Sequence, residues 1–218
     1  MSSYPRVLLA FPVMTTPDES GPSTLYQQAI ATLAELVAEA TAVGDPEPTA
    51  MTLATADASG RVSARIVLLK GIDDEGLRFY TNYASAKGEQ LAAHTQAALT
   101  LHWKTVRDQV QARVEGCVEK VSAADSDVYF ASRPRLSQIG AWASLQSQDL
   151  PDRATFDARV HEFEQRFEGT DVPRPPHWGG YLLQPDLFEF WYGARFRLHE
   201  RVRYELRDTV WTRRLLYP

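Results

Sequence analysis

The sequence predicts a mainly β protein with flanking helices, an α+β chain whose strands form an antiparallel barrel or sandwich. Short apolar and β-branched runs alternate with polar turns in two stretches, 51–121 and 180–217. Apolar residues recur at helical spacing outside these stretches, at 23–44 and 151–169. The expected strands are 51–56, 62–70, 77–82, 97–103, 109–121, 180–184, 187–191, 201–206 and 211–217, with late turns at 185–186 and 207–208.

Four helices are predicted from capping residues and apolar periodicity. Each begins at a residue that favours a helix N-terminus, and most are followed by Gly or Pro. The predicted N-terminal residues are Ser23, Ser85, Ser122 and Pro151, and the expected ends are Gly44, Ala92, Arg133 and Gly169. The segment 137–142 is too small and mixed in composition to assign.

Length and composition favour one domain over residues 23–218, preceded by a flexible arm over residues 1–22 that holds four prolines. A net charge of −5 and a pI near 5.6 argue against a nucleic-acid-binding surface. The single cysteine, Cys117, excludes an internal disulfide and makes the cytoplasm the expected location. No segment reaches the roughly 20 apolar residues that would span a bilayer. The five histidines are scattered, so no metal site is expected.

The stretch 65–87 places two basic residues where they could bind an anion. The apolar run 66–69 suits a strand buried on both faces, and it is expected to form a β-hairpin with the strand 77–82. Capping by Ser85 would leave free backbone N–H groups beside the Lys87 ammonium, where a phosphate could bind. The alternative is that Arg65 and Lys87 are ordinary solvated residues.

Two further clusters carry positive charge. Arg195, Arg197, His199 and Arg201 would point the same way in an extended chain, and three guanidiniums on one face favour an anion site.

Tyr129, Arg133 and Ser137 are spaced four and four, so a helix continuing through Arg133 would place a phosphate-binding set on one face. Alternatively, Tyr129 is half-buried and Arg133 is a surface residue.

Common catalytic motifs are not found. The sequence contains no HExxH, GxGxxG or Walker-type loop, and no pattern typical of a Ser–His–Asp or Cys–His pair stands out. Candidate phosphate sites and abundant aromatic residues therefore suggest two phosphorylated heteroaromatic ligands.

Seven segments resemble the pyridoxine (pyridoxamine) 5′-phosphate oxidases, in order from about Pro48 to Pro218. They are RIVLLKG, FYTN, SRPRLSQIGAWAS, QSQ, PPHWGGY, FEFWYG and RLHER. The resemblance implies an FMN-binding split β-barrel that forms a homodimer with FMN at the subunit interface. It also implies oxidation of pyridoxine or pyridoxamine 5′-phosphate to pyridoxal 5′-phosphate by O₂, with release of H₂O₂.

The resemblance assigns roles residue by residue, some of them across the subunit boundary. The implied FMN contacts are Arg65, Ile66, Val67, Leu68, Leu69, Lys70, Tyr80, Thr81, Lys87, Gln111, Gln146, Ser147, Trp191 and Arg201. The implied substrate contacts are Lys70, Tyr129, Arg133, Ser137, Arg197, Leu198 and His199. Of these, Arg197 and His199 are the expected catalytic residues, which would position the amine or alcohol and manage its proton.

The sequence departs from the family pattern at a few positions. Ala86 stands where the family often has a second cation in its SRK motif, and residues 1–22 hold no counterpart of the basic arm found in some members. The strand glutamine could be Gln109 or Gln111, and Gln111 is favoured because it directly precedes ARVEG.

Two other functions fit parts of the pattern. A flavin oxidase of phenazine biosynthesis shares RLHER but is expected to lack the substrate-phosphate site, so Lys70, Arg133 and Ser137 argue for the phosphorylated vitamin. A non-catalytic flavin- or pyridoxal-phosphate-binding protein would not need Arg197 and His199 together.

Overall fold

The computed structural model describes residues 22–218, and it confirms a mainly β fold with flanking helices. The arm expected over residues 1–22 lies outside the described residues, apart from Pro22, where the first helix begins. The helices are α1 (Pro22–Ala42), α2 (Ala86–Ala93), α3 (Ala123–Ala131), α4 (Arg135–Ala143) and α5 (Arg153–Arg166). The strands are β1 (Ala50–Ala56), β2 (Val62–Leu68), β3 (Gly71–Asp73), β4 (Gly76–Asn82), β5 (Gln96–Trp103), β6 (Val110–Lys120), β7 (Trp178–Tyr192), β8 (Glu200–Arg207) and β9 (Val210–Leu216). Within residues 22–218, no helix combines the length and apolar content that crossing a bilayer requires.

The strands form one antiparallel sheet in the order β2-β1-β5-β6-β7-β4-β3, and β8 joins β7 to β9. The long strand β7 pairs with β6 along its length, while its first half also pairs with β4 and its second half with β8. The turn expected at 185–186 is wrong, because β7 continues through it with a bulge opposite Glu115 and Gly116. A Cβ on Gly116 would lie 2.1 Å from the Gln184 carbonyl oxygen, so the close approach at the bulge requires glycine.

The hairpin expected between 66–69 and 77–82 is also wrong. Strand β2 pairs with β1 at the edge of the sheet, and the short β3 forms the hairpin with β4. Ile66 is 63% exposed and Leu68 38% exposed, so the run is not buried on both faces. An apolar run alone does not distinguish a central strand from an edge strand whose apolar face can bind a ligand or a partner.

Two apolar cores hold the elements in place. Helix α1 covers one face of the sheet through Ile30, Leu33 and Ala40, as its periodicity predicted. The second core joins α3, α4 and α5 to the start of β7, and the unassigned segment 137–142 belongs to α4. Its buried members are Phe130, Ile139, Ala143, Phe163, Phe167, Val172 and Trp178.

The predicted helix starts are correct at two of the helices that flank the site. The Ser85 hydroxyl accepts a hydrogen bond from Gly88 N, and the Ser122 hydroxyl accepts one from Asp125 N. Helix α1, by contrast, begins at Pro22, so Ser23 lies inside it and is not its cap.

Candidate functional site

A cavity of about 690 Å³ lies between the edge strand β2, the end of β4 and helices α2, α3 and α4. It collects most of the residues that the sequence assigned to a flavin and to a substrate phosphate. Those that line it are Ile66, Val67, Leu68, Lys70, Tyr80, Thr81, Lys87, Tyr129, Arg133, Ser137 and Gln146. The wall also contains residues that were not predicted, namely Asn82, Ser132, Pro134, Gly140, Ala141, Ser144 and Trp178.

Lys87 is a buried cation with neutral neighbours. Its side chain is on α2, and the residue is 8% exposed. The ammonium donates hydrogen bonds to Thr81 Oγ1 (3.1 Å), Ser85 Oγ (3.1 Å) and Gln146 Oε1 (2.9 Å). Burial, together with the nearby charge of Arg65, lowers the pKa of Lys87 to about 8. A buried ammonium without a counter-ion is costly, which indicates that an anion belongs here.

Arg65 is also held by neutral groups, beside the cavity wall. Its guanidinium donates to the Leu53 carbonyl oxygen (3.2 Å), to Thr55 Oγ1 (2.6 Å) and to Gln90 Oε1 (3.0 Å). Burial lowers its pKa. Among the ion pairs within residues 22–218, none involves Arg65 or Lys87. The two charges are therefore left for a ligand.

A second cationic group lies against stacked aromatic rings. The Tyr80 and Tyr129 ring centroids are 3.8 Å apart with the planes inclined by 15°, and the Trp178 ring is nearly parallel, 5.6 Å from Tyr80. The Arg133 guanidinium lies 4.6 Å from the Trp178 centroid, and its buried Nη1 has no hydrogen-bond partner among residues 22–218. Because Arg133 lines the cavity, its guanidinium is available to an anionic ligand there.

The helix expected to continue through Arg133 is wrong, although its three residues do share the cavity. Helix α3 ends at Ala131, and Pro134 is the N-cap of α4, which carries Ser137. Pro134 cannot continue the helix, so the chain turns there and brings Ser137 back towards Tyr129.

The C-terminal cluster differs from the extended strand that was expected. Residues 195–197 form a 3₁₀ turn, in which Phe196 and Arg197 have φ values of 59° and 62°. Arg195, Arg197, His199 and Arg201 therefore do not share one strand face. Ala194 N donates to His199 Nδ1 (3.1 Å), and the His199 ring lies 4.4 Å from the Trp191 ring. Arg197 and Leu198 are exposed.

Arg201 is paired with Glu189, a residue that the sequence did not single out and that Arg201 shares with two other arginines. Glu189 is 3% exposed and accepts hydrogen bonds from Arg201 Nη2 (2.6 Å), Arg203 Nη2 (2.6 Å) and Arg113 Nη2 (2.9 Å). The register places Arg113, Glu189 and Arg203 side by side on β6, β7 and β8. Burial acts to raise the pKa of Glu189, but the bonds from Arg201 and Arg203 outweigh it, so the pKa is lowered.

Replacing Glu189 by Ala is expected to lower the free energy of unfolding by about 3–5 kcal/mol, because three arginines would lose their shared counter-ion. Urea denaturation of the apo-protein measures this change. The exposed Glu162→Ala on α5 is the control, with a change within about 0.5 kcal/mol. A decrease in the free energy of unfolding below about 1 kcal/mol for Glu189→Ala would show that Glu189 does not stabilise the fold as a shared counter-ion.

The remaining predicted residues lie outside the cavity. Leu69 is buried beneath β2, and Ser147 is exposed with a φ of 74°. Gln111 lies opposite Trp191 in the β6–β7 register, whereas Gln109 precedes the strand with a φ of 91°.

The two groups of predicted residues lie at opposite ends of β7. Trp178, at the start of the strand, lines the cavity, and Trp191, near its end, contacts His199. The 13 intervening steps correspond to about 40 Å along the strand. One chain therefore divides the predicted site into two separate parts.

The cavity fits a flat, phosphorylated cofactor such as FMN. Apolar side chains of β2 form one wall, and the cation pair Arg65 and Lys87 lies beside it next to the N-terminus of α2. Arg133, which also lines the cavity, is a second cation that could hold an anionic group.

The chain matches two family models. Residues 36–167 match pyridoxamine 5′-phosphate oxidase, and residues 178–218 match the pyridoxine 5′-phosphate oxidase C-terminal dimerisation region. The second match contains Trp191, His199 and Arg201 and supports the expected homodimer.

Relatives similar in sequence have the same family name as the matching models. The chain is 57% identical over 196 residues to a pyridoxine/pyridoxamine 5′-phosphate oxidase of Xanthomonas oryzae pv. oryzae, covering 89% of this chain and 98% of the relative. It is 58% identical to the Ralstonia pickettii oxidase of the same name, covering 76% of this chain and 77% of that protein.

One similar solved structure is PhzG from Burkholderia lata 383, in complex with tetrahydrophenazine-1-carboxylic acid. It superposes with a TM-score of 0.81 at 33% identity, and the match covers 97% of this chain and 99% of that one. A pyridoxamine 5′-phosphate oxidase-related, FMN-binding protein of Nostoc punctiforme has the same fold at 18% identity, with a TM-score of 0.63 over 88% of this chain and 97% of that one. This chain therefore belongs to the pyridoxine/pyridoxamine 5′-phosphate oxidase family of oxidoreductases.

Proposed function

We propose that the protein is an FMN-dependent oxidase that converts pyridoxine or pyridoxamine 5′-phosphate to pyridoxal 5′-phosphate with O₂ and releases H₂O₂. The observation that carries the proposal is the presence, at one cavity, of two cationic positions that form no ion pair within residues 22–218. One is Lys87 beside Arg65, and the other is Arg133 with its unpartnered Nη1. Two phosphorylated ligands would supply the two missing anions.

The flavin phosphate would bind to Arg65 and Lys87 at the N-terminus of α2, which adds the favourable end of the helix dipole. The flavin ring would lie along 66–70, with Tyr80, Thr81 and Gln146 nearby. The chemistry that FMN supplies when bound is acceptance of a hydride from the 4′-carbon of the substrate and return of the electrons to O₂.

The substrate phosphate would bind to Arg133, with Tyr129, Ser137 and Lys70 as further donors. Arg133 is suited to this role because its guanidinium is fixed over Trp178 and can present two parallel N–H groups to phosphate oxygens.

A second copy of the chain would complete the site. Arg197, Leu198 and His199 lie far along β7 from the cavity, with Gln111, Trp191 and Arg201 near them. In a homodimer with FMN at the interface, these residues of the partner subunit would close over the cavity. Arg197 would orient the substrate amine or alcohol, and His199 would take its proton.

Purified protein, reconstituted with FMN, tests the proposal in an assay for O₂-dependent formation of pyridoxal 5′-phosphate. We expect product from the phosphorylated vitamin and equimolar H₂O₂. Failure to form it while FMN is bound would overturn the proposal.

A second candidate is oxidation of a phenazine-type tricyclic acid, which is favoured by the structural similarity to PhzG over nearly the whole chain. The cationic Arg133 position and its neighbours Tyr129 and Ser137 argue for a phosphorylated substrate instead. Turnover of tetrahydrophenazine-1-carboxylic acid, without turnover of pyridoxine 5′-phosphate, would favour the second candidate.

Replacing Arg133 by Met is expected to raise KM for pyridoxine 5′-phosphate by about 10- to 100-fold, because a hydrogen bond to a charged group contributes about 1.5–3 kcal/mol. Steady-state kinetics with saturating FMN measures the change, and Arg153→Met on the exposed face of α5 is the control. An unchanged KM would remove Arg133 from the substrate site.

A further inference from the structure

Gln90 is the neutral group that most closely accompanies the Arg65 guanidinium. Its Oε1 accepts hydrogen bonds from Arg65 Nη2 (3.0 Å) and from the buried Thr55 hydroxyl (2.5 Å). Its Nε2 donates to Ser63 Oγ (3.4 Å) on β2. These bonds turn the amide oxygen, not the amide nitrogen, towards Arg65.

Elsewhere in the same sheet, half-buried arginines are paired with carboxylates. Glu189 accepts from Arg113, Arg201 and Arg203, and Arg78 is paired with Asp73 and Glu75. Gln90 differs from glutamate by one terminal group of nearly the same shape. Glutamate there would form a close ion pair with Arg65, at the cost of the charge that a ligand could use.

We propose that Gln90 is a positioning residue, whose neutral amide orients Arg65 without cancelling its charge. The site thereby selects a phosphorylated flavin over an unphosphorylated one. The inference rests on the proposed function, because it assumes that the Arg65 and Lys87 pair binds the flavin phosphate. Ala86, exposed at the start of α2, adds no charge beside this pair.

The effect of a carboxylate at position 90 follows from simple electrostatics. It would reduce the net charge of the pair from two to one and would repel the approaching dianion. Riboflavin lacks the phosphate that the pair would bind, so its affinity should change little. The lowered pKa of Lys87, to which Arg65 contributes, shows that the two cations share one environment.

The test compares FMN and riboflavin affinities by quenching of flavin fluorescence in the wild type, Gln90→Glu and Gln90→Met. We expect wild type to prefer FMN strongly. Gln90→Glu should weaken FMN binding at least 100-fold with riboflavin within about threefold, whereas Gln90→Met should keep most of the preference. Gln165→Glu on α5 is a control for added charge, and it should leave both affinities unchanged.

Two results would overturn the inference. One is an unchanged FMN-to-riboflavin ratio in Gln90→Glu, and the other is an equal loss of both affinities, which indicates a purely structural role. If Gln90→Glu does not fold, Ser63→Asp is the second variant, because it introduces a carboxylate on β2, on the same face as Arg65. Ser63→Asp must then lower the ratio of FMN affinity to riboflavin affinity in the same way. A wild type without any preference for FMN would instead contradict the proposed function.

Discussion

Replacing Lys87 by Met is expected to weaken FMN binding by about 100-fold or more, because truncating one partner of a buried charge pair costs about 2–5 kcal/mol. Lys87 is buried, and its hydrogen-bond partners are the neutral side chains of Thr81, Ser85 and Gln146. Its charge is therefore available to the flavin phosphate. Fluorescence titration of the apo-protein with FMN measures the loss, with the exposed Lys104→Met as control.

The pH dependence of the same titration identifies the ammonium as the cause. In the apo-protein, the pKa of Lys87 is lowered to about 8, and a bound dianion would raise it again. FMN binding then takes up a proton above pH 8, so wild-type affinity should fall by up to about tenfold per pH unit there. Lys87→Met should remove this dependence. A variant that retains both affinity and slope would exclude Lys87 from the site.

Raising the pH above 8 weakens FMN binding but should stabilise the folded apo-protein. Between about pH 8 and pH 10.5, the unfolded chain holds a proton on Lys87 that the folded chain has lost. The free energy of unfolding due to this group therefore rises with pH in that window. At pH 7 the buried ammonium destabilises the fold, so apo Lys87→Met should be more stable than the wild type. The wild type therefore has lower stability but tighter FMN binding than the variant.

Arg197→Met and His199→Ala are each expected to lower kcat by about 100- to 10,000-fold while FMN remains bound, as is typical when a general acid–base group is lost. Neither residue lines the cavity of its own chain, and both lie near the end of β7 that a partner subunit would bring to it. Turnover and the flavin absorption spectrum are measured on the same samples.

Arg195→Met is the matched control for this pair of variants, because Arg195 belongs to the same exposed 3₁₀ turn. It should retain near wild-type kcat. Wild-type turnover in both Arg197→Met and His199→Ala would remove them from the mechanism, and loss of flavin would show that they act on cofactor binding instead.

Local signals in the sequence were sufficient where the structure depends on neighbouring residues. Ser85 and Ser122 cap their helices because a hydroxyl needs only the N–H three residues later. The apolar stripe of α1 likewise identified the face that packs on the sheet.

Partners distant in sequence explain most of the errors. Pro185 and Asp186 have turn-forming residue types, but the strand continues because Gly116 on the neighbouring strand permits a bulge. The error around Arg197 is a local one, because the backbone turns at residues 195–197 with positive φ values at Phe196 and Arg197, whereas alternation assumes an extended chain.

Site residues that were not predicted have the same origin. Glu189 looked like an ordinary charge in FEFW, and its role depends on arginines from both neighbouring strands. Trp178 stacks near Tyr80 because β7 pairs with β4, a partner distant in sequence. Gln90 likewise has its role through Arg65, which is 25 residues away in the sequence.

The most direct test of a phosphorylated substrate is the ratio of kcat/KM for pyridoxamine 5′-phosphate to that for unphosphorylated pyridoxamine, determined with FMN-loaded protein under air. We predict a ratio of about 100 or more, from the loss of charge-assisted bonds to the phosphate, and a fall towards one in Arg133→Met. Equal kcat/KM values for the two compounds in the wild type would contradict a substrate-phosphate site at Arg133.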